Sequence, residues 1–293
     1  MTYAITGITG KVGGELARTL LASGEPVRAV VRDATSHTVT KEWAALGCEV
    51  VLAEMEDASA LEEAFTGATA VFILPPPEFD PKPGYPEARL VINSVVEALR
   101  AAKPRRVLCL STIGADAKHD NLLSQRGVME EALRELQTPL TILRPAWFID
   151  NAAWDVVSAR DTGLIYSFLQ PTDKAFPMVA AKDVGRLAAK LISEDWTGTR
   201  TVELEGPSRI TPNGLADSFA RVIGKPVRAV SVSRESWAEL FRSQGMRNPE
   251  PRMRMLDGFN EGWIEFEDGR SKAIKGSTTA IDVITDLVAN TQV

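Results

Sequence analysis

Three glycines at intervals of three, Gly7, Gly10 and Gly13, are the residues of this chain best suited to hold a charged ligand. They follow an apolar strand that ends Ala4-Ile5-Thr6. They precede Val12, Leu16 and Leu20, whose spacing of four lays out one buried helix face. A strand, a glycine turn and a helix N-terminus together make an anion site, because unbonded N–H groups and the positive end of the helix dipole converge there. In such a turn Gly7 permits the tight reversal, Gly10 lets the backbone approach a pyrophosphate, and Gly13 lets the helix pack closely on the strand. Thr9, Lys11 and Val12 complete the expected phosphate-binding set. A glycine turn without a ligand is the alternative, and the flanking strand and helix argue against it.

Arg32 stands nineteen residues after Gly13, at the end of the second strand. That position ordinarily carries an acid when the ligand has a free ribose 2′-hydroxyl. A guanidinium there suits a 2′-phosphate, which it meets with a planar fork of donors. Lys11 adds a second positive charge. The expected cofactor is therefore NADP(H) rather than NAD(H). Asp33, next in the chain, keeps a ribose contact open, and a plain surface arginine is the other reading of Arg32.

Proton-transfer groups are scarce. The tyrosines are Tyr3, Tyr85 and Tyr166, and none has a lysine four residues on, so the tyrosine–lysine pair that protonates a carbonyl oxygen is missing. What remains is hydride transfer to an acceptor that needs little acid from the protein, such as a quinone or a cationic dye. Ser111 and His119 are the candidate proton donors, although a loop histidine is more often simply solvated. With only two histidines and no cluster at ligand spacing, a metal site is not expected. No GxSxG turn supports a serine hydrolase.

The elements that must position these residues alternate through the first half. Strands are expected at 27–31, 49–52, 70–74, 107–110 and 140–143, and helices at 58–65, 87–102 and 123–136. Strands that read as unbroken Val/Ile/Leu runs are buried on both faces, the mark of a parallel sheet with right-handed crossovers. The helix at 87–102 is expected to bury Leu90, Val91, Val95 and Leu99. Beyond residue 145 the alternation loosens. Helices are expected at 183–192, 211–223 and 234–244, the last with Trp237 and Phe241 on one face, and a strand at 201–204. Residues 245–263 read as irregular and 267–276 as a polar loop, before a final helix. The fold class is α/β: a Rossmann-type doubly wound parallel sheet in residues 1–150. Residues 151–293 form a smaller mixed α/β substrate lobe interleaved with returns to the main sheet.

The chain has 293 residues, 44% hydrophobic and 25% charged, which is ordinary globular composition. Its net charge of −6 argues against nucleic acid as a partner. No apolar run approaches the ~20 residues that span a bilayer, and the N-terminus has no secretory pattern. Cys48 and Cys109 lie in apolar strand-like runs and read as reduced and buried, so a cytoplasmic protein is expected.

The motifs ITGITGKVGG (5–14), VRAVVRD (27–33), GCEVVLAEMED (47–57), AVFILPPP (70–77), VLCLSTIGAD (107–116) and LTILRPAWFIDN (140–151) resemble, in order, those of the NmrA-like family of atypical short-chain dehydrogenase/reductases. That family includes quinone reductases, dye reductases and redox-sensing regulators. The resemblance implies that Glu54 and Met55 border the adenine and that Leu74, Pro75 and Pro76 pass the ribose and nicotinamide. It also implies that Ser111 and Thr112 end the fifth strand near the reactive face. Glu54 departs from the family's usual Asp. Aligned on TILRP, the family's usual lysine falls at Arg126 and the classical tyrosine position holds Leu122.

Two stretches are expected to shape an acceptor pocket. The loop 75–86 follows the fourth strand, at the carboxyl edge where such sheets bind ligands, and offers Phe79 and Tyr85. A proline loop that merely hugs the surface is the other reading. Trp147, Asn151 and Trp154 share one face if the segment is helical, with Phe148 beside them, as pocket or as core. The expected function is NADPH-dependent reduction of a quinone-like or other small conjugated acceptor. The alternative is a non-catalytic NADP(H)-binding sensor acting through a protein partner. A homodimer is also open.

Overall fold

A computed structural model describes residues 1–32, 37–267 and 272–291. Asp33 lies outside the described residues. The first half alternates as expected: β1 (Tyr3–Thr6), α1 (Lys11–Ala22), β2 (Val27–Val31), α2 (His37–Ala45), β3 (Glu49–Leu52), α3 (Ala58–Phe65) and β4 (Ala70–Ile73). It continues with α4 (Pro86–Ala102), β5 (Arg106–Leu110), α5 (Ser124–Arg134) and β6 (Leu140–Pro145). Next come β7 (Trp147–Phe148), α6 (Val156–Thr162), β8 (Leu164–Ser167), β9 (Met178–Val179), α7 (Ala181–Ser193) and β10 (Thr199–Glu205). The chain ends with α8 (Pro212–Ile223), β11 (Arg228–Ser231), α9 (Trp237–Ser243), α10 (Glu250–Glu261), β12 (Ile274–Lys275) and α11 (Ala280–Asn290).

Eight strands form one all-parallel sheet in the order β12-β10-β6-β5-β4-β1-β2-β3. The order reverses between β1 and β4, and the crevice at their carboxyl ends is where open α/β sheets bind ligands. This is a Rossmann-type doubly wound fold. Alternate strand residues feed two separate cores. Tyr3, Ile5, Ala70, Phe72, Leu108 and Leu110 face the α1 and α7 layer, while Ala4, Val71, Ile73, Val107 and Cys109 face α3, α4 and α5. Burial on both faces explains why these strands read as continuous apolar runs.

Beyond β6 the chain builds a lobe with its own core around Val156, Ile165, Phe219 and Ile284. It also returns to the main sheet: β10 pairs with β6, and β12 pairs with β10. Several expectations need correction here. Residues 250–261 are helical rather than irregular, because Pro249 and Pro251 stand at the helix start, where proline costs no hydrogen bond. The polar stretch 267–276 contains β12. Leu90 is exposed, and Ile92 joins Val91, Val95 and Leu99 in the core instead. Trp147 and Phe148 form a short strand against β9, and a 3-10 helix follows over Ile149–Asp155. Cys48 and Cys109 are buried and unpaired. Among the described residues no helix is long and apolar enough to cross a membrane.

Candidate functional site

The glycine turn has the geometry its sequence calls for. Gly7 takes a left-handed conformation (φ +65), which turns the chain beneath Leu74. A Cβ on Gly13 would fall 2.3 Å from the Gly7 carbonyl oxygen, so only glycine lets α1 start this close to β1. A Cβ on Gly10 would have one neighbour within 4 Å, the Gly7 carbonyl oxygen at 3.3 Å, leaving its outer face open to a ligand. Side-chain caps close the N-termini of α3, α8 and α11, through Asp57, Thr211 and Thr279. At α1 the cap is Gly10 and no side chain closes the end, so the N–H groups of its first turn are left for another partner. Thr6 locks the two loops that meet here. Its hydroxyl donates to the Phe72 carbonyl at 3.1 Å and accepts from the Leu74 N–H at 2.8 Å.

A cavity of about 1150 Å³ opens from this turn. At one end it is lined by Gly7, Thr9, Gly10, Arg32 and Met55, and along its floor by Leu74, Pro75, Pro76, Ser111 and Thr112. It then widens into a chamber bounded by Trp147, Phe148, Met178, Met246, Met255 and Phe259. Trp147 packs edge-on to Phe259 with ring centroids 5.3 Å apart. Asn151 and Trp154 also line the cavity, although Trp154 is largely exposed. Shape and lining therefore fit a dinucleotide: N–H donors at the turn, a cation at the end of β2, and an apolar slot beyond β4 and β5. Arg32 is exposed at the rim. Val12 and Gly13 are packed behind the turn, and Glu54 lies beside the lining without forming part of it.

Lys11 is paired with Asp150 at 2.9 Å, and the second Asp150 oxygen accepts from the Ala181 N–H at 2.8 Å. The carboxylate thus ties the glycine turn to the N-terminus of α7. Ser111 lines the cavity, but its hydroxyl donates to the buried Glu130. Glu130 in turn accepts from Arg144 Nε and Nη2 at 2.9 and 2.6 Å. Burial opposes the charge on Arg144, yet Glu130 and Asp116 hold its pKa above the ordinary arginine value. With its proton committed, Ser111 is left with acceptor lone pairs and serves a ligand hydroxyl or amide better than it serves as an acid.

Two expected site residues lie elsewhere. Tyr85 does not line the chamber. It caps α4 in a left-handed conformation, and its buried hydroxyl donates to Asp120 and approaches the Asn121 carbonyl at 3.1 Å. Burial first, then Asp120, pushes its pKa up to about 12, so the phenol stays protonated. His119 is exposed, packed edge-on against Trp263 at 5.1 Å, and away from the cavity. The sequence pattern marked both as aromatic or titratable groups near the right strands and gave no sign of where their loops turn.

The first part of the proline loop does form a wall. Pro75 through Asp80 line the cavity, with Phe79 53% exposed at the mouth. Asp80 fastens this loop to the lobe, accepting from the backbone N–H groups of Arg247 and Asn248 at 2.9 and 2.6 Å. Burial opposes its charge, but those N–H groups and the Arg247 guanidinium hold the Asp80 carboxyl below its usual range. Arg126, which stands where the resembling family usually has lysine, lines the chamber, and so do residues that sequence reading passed over: Asp155, Met246, Arg252, Met255 and Phe259. Asp155 has no hydrogen-bonding partner among the described residues, and burial raises its pKa to about 6. Among the described residues no group of His, Cys, Asp and Glu could hold a metal ion.

A model described as the NmrA-like family matches residues 1–260. Quinone oxidoreductase 2 of Escherichia coli (strain K12) is 26% identical over 284 residues, covering 95% of each chain. A crystal structure of an NADPH-dependent quinone oxidoreductase from Escherichia coli, complexed with NADPH, superposes with a TM-score of 0.79. It is 24% identical and covers 97% of this chain and 99% of its own. The Citrobacter sp. triphenylmethane reductase complexed with NADP(H) gives a TM-score of 0.79 at 22% identity, covering 98% and 100%.

Proposed function

The chain belongs to the NmrA-like family, and from that premise we propose that it is an NADPH-dependent oxidoreductase that reduces a quinone-like or other small conjugated acceptor. One observation carries the reading: a single cavity runs from the glycine turn to a chamber walled by Trp, Phe and Met side chains. Relatives named for NADPH, quinone and dye reduction support it. The pyrophosphate would sit against the open face of Gly10, on the N–H groups of the first turn of α1. Arg32 would face the 2′-phosphate. Leu74, Pro75 and Pro76 would flank the ribose and nicotinamide, with Ser111 and Thr112 accepting from ribose hydroxyls or the carboxamide.

Bound nicotinamide supplies a hydride, and the protein's task is to place an acceptor ring against it with water excluded. Trp147, Met255 and Phe259 provide an apolar seat, and the clamped proline loop covers one side. Two-electron reduction of a quinone consumes one hydride and one proton. The absence of a tyrosine–lysine pair is consistent with a proton drawn from solvent through the open rim.

The test is NADPH oxidation at 340 nm with purified protein and a panel of quinones and triphenylmethane dyes. Turnover well above the uncatalysed rate is expected for at least one of them. Tight NADPH binding without turnover across the panel would reject the reductase and leave the sensor reading.

A further inference from the structure

The chamber carries positive charge that no carboxylate neutralises. Arg126, on α5, and Arg252, on α10, both line it. The segment that leads into α5 touches α10, since the Leu122 N–H donates to the Pro251 carbonyl at 2.9 Å. Arg126 lies four residues beyond Leu122, and Arg252 follows Pro251 immediately. Both cations therefore line the chamber from segments that touch each other.

Their partners are few and uncharged. Arg126 has a single long contact, 3.4 Å, to the Pro75 carbonyl. Arg252 stacks 4.4 Å from the Phe241 ring centroid and touches the Met246 sulfur at 4.0 Å. Neither forms an ion pair among the described residues. Other arginines of this chain are treated differently: Arg144, Arg209 and Arg234 each bond a carboxylate through two nitrogens. Burial lowers the pKa of both chamber arginines, yet a guanidinium stays protonated at physiological pH. A desolvated cation with no counter-charge is destabilising, and an incoming anion relieves it.

The carboxylates that share the cavity do not fill this role. Glu78 accepts from the Asp80 N–H at 2.8 Å, and Asp80 is held by residues 247 and 248. Asp155 belongs to the 3-10 helix after β7 and forms no ion pair with either arginine.

We infer that the acceptor carries an anionic group, a carboxylate, sulfonate or phosphate, seated against Arg126 and Arg252 while its conjugated body lies among Trp147, Met246, Met255 and Phe259. The inference rests on the reading of this chamber as the acceptor site. An anion oriented by two planar forks is fixed in direction as well as in place, which a purely apolar slot does not achieve. The two arginines are thus specificity-determining residues for the acceptor.

The test compares a naphthoquinone bearing a propanoate side chain with its methyl ester, which has the same ring and essentially the same tendency to be reduced. For the unaltered protein kcat/KM is expected to favour the acid at least tenfold. In Arg126→Gln and in Arg252→Gln the acid-to-ester ratio should collapse toward one, and Arg126→Lys should restore much of it. An ester used as well as the acid overturns the inference, as does a loss in either variant that falls equally on both substrates or on NADPH affinity.

Binding of naphthalene-propanoate and its methyl ester to the NADP-loaded protein, by calorimetry, gives a readout independent of turnover. Preference for the acid without any reduction would uphold the anion site and reject the reductase. Reduction without that preference would do the reverse.

Discussion

A methyl group at Gly13 would meet the Gly7 carbonyl oxygen at 2.3 Å, so Gly13→Ala must part α1 from the turn beneath it. A cost of about 1–3 kcal/mol in chemical denaturation is expected, with loss of NADPH binding. Arg32 lines the cavity at the end of β2, as its position relative to the glycines leads one to expect, and on the proposed reading Arg32→Ala should weaken NADPH at least tenfold while leaving NADH nearly unchanged. Equal losses in a binding titration would show that it does not read the phosphate. Asp155 was not legible, since only the fold reveals that a carboxyl in a polar-looking segment loses its water. Its pKa rises from 3.8 to about 6 on burial, so the native state holds the proton more tightly than the unfolded chain. Stability therefore falls as pH rises through that window, and the ionised form is destabilising above it. Asp155→Asn should flatten this dependence and raise stability at pH 7 by roughly 2 kcal/mol or less given its partial exposure, with a matching rise in Tm. A variant whose Tm follows the same pH curve as the parent would rule this out.

Among the elements, those with a single strong period were readable and those governed by caps were not. The unbroken apolar runs of β1, β4 and β5 identify a two-sided sheet, and the spacing of Val12, Leu16 and Leu20 identifies α1. The helix at Glu250–Glu261 was hidden by its own prolines, which look like breakers until they are placed in the first turn. Tyr85 was misplaced for a related reason. Its left-handed conformation at the start of α4 turns the ring away from the wall that Phe79 joins. The clamp at Asp80 ties the proline loop to the lobe, and Asp80→Ala should raise KM for the acceptor several-fold with a smaller change in kcat. The carboxyl is held below its usual range, so the clamp is intact at neutral pH and is lost as pH falls through that lowered value. Steady-state kinetics of the variant and parent at pH 7 decide the point.

On the scale of the whole molecule, alternation and handedness imply a parallel doubly wound sheet, while the strand order and the crevice between β1 and β4 come from the fold. Neither implies the route of the second half, because β10 and β12 reach the sheet from a lobe with its own core, and nothing local in their sequences states their partners. The β10–β6 pairing runs over six residues, from Thr199 against Leu140 to Leu204 against Pro145. A chain cut after residue 150 would expose β6 as an apolar edge. It is expected to aggregate or remain unfolded, and the full chain to melt in one transition by near- and far-ultraviolet dichroism. The clamp across the cleft has a different kind of consequence. Asp80 grips main-chain N–H groups at 247 and 248, which any residue but proline provides. Among the described residues only the Arg247 guanidinium adds a side-chain contact from that segment, at 3.5 Å, so the side chain at 248 is free to drift or to be redesigned, and new substrate preferences can be introduced there without surrendering the main-chain clamp.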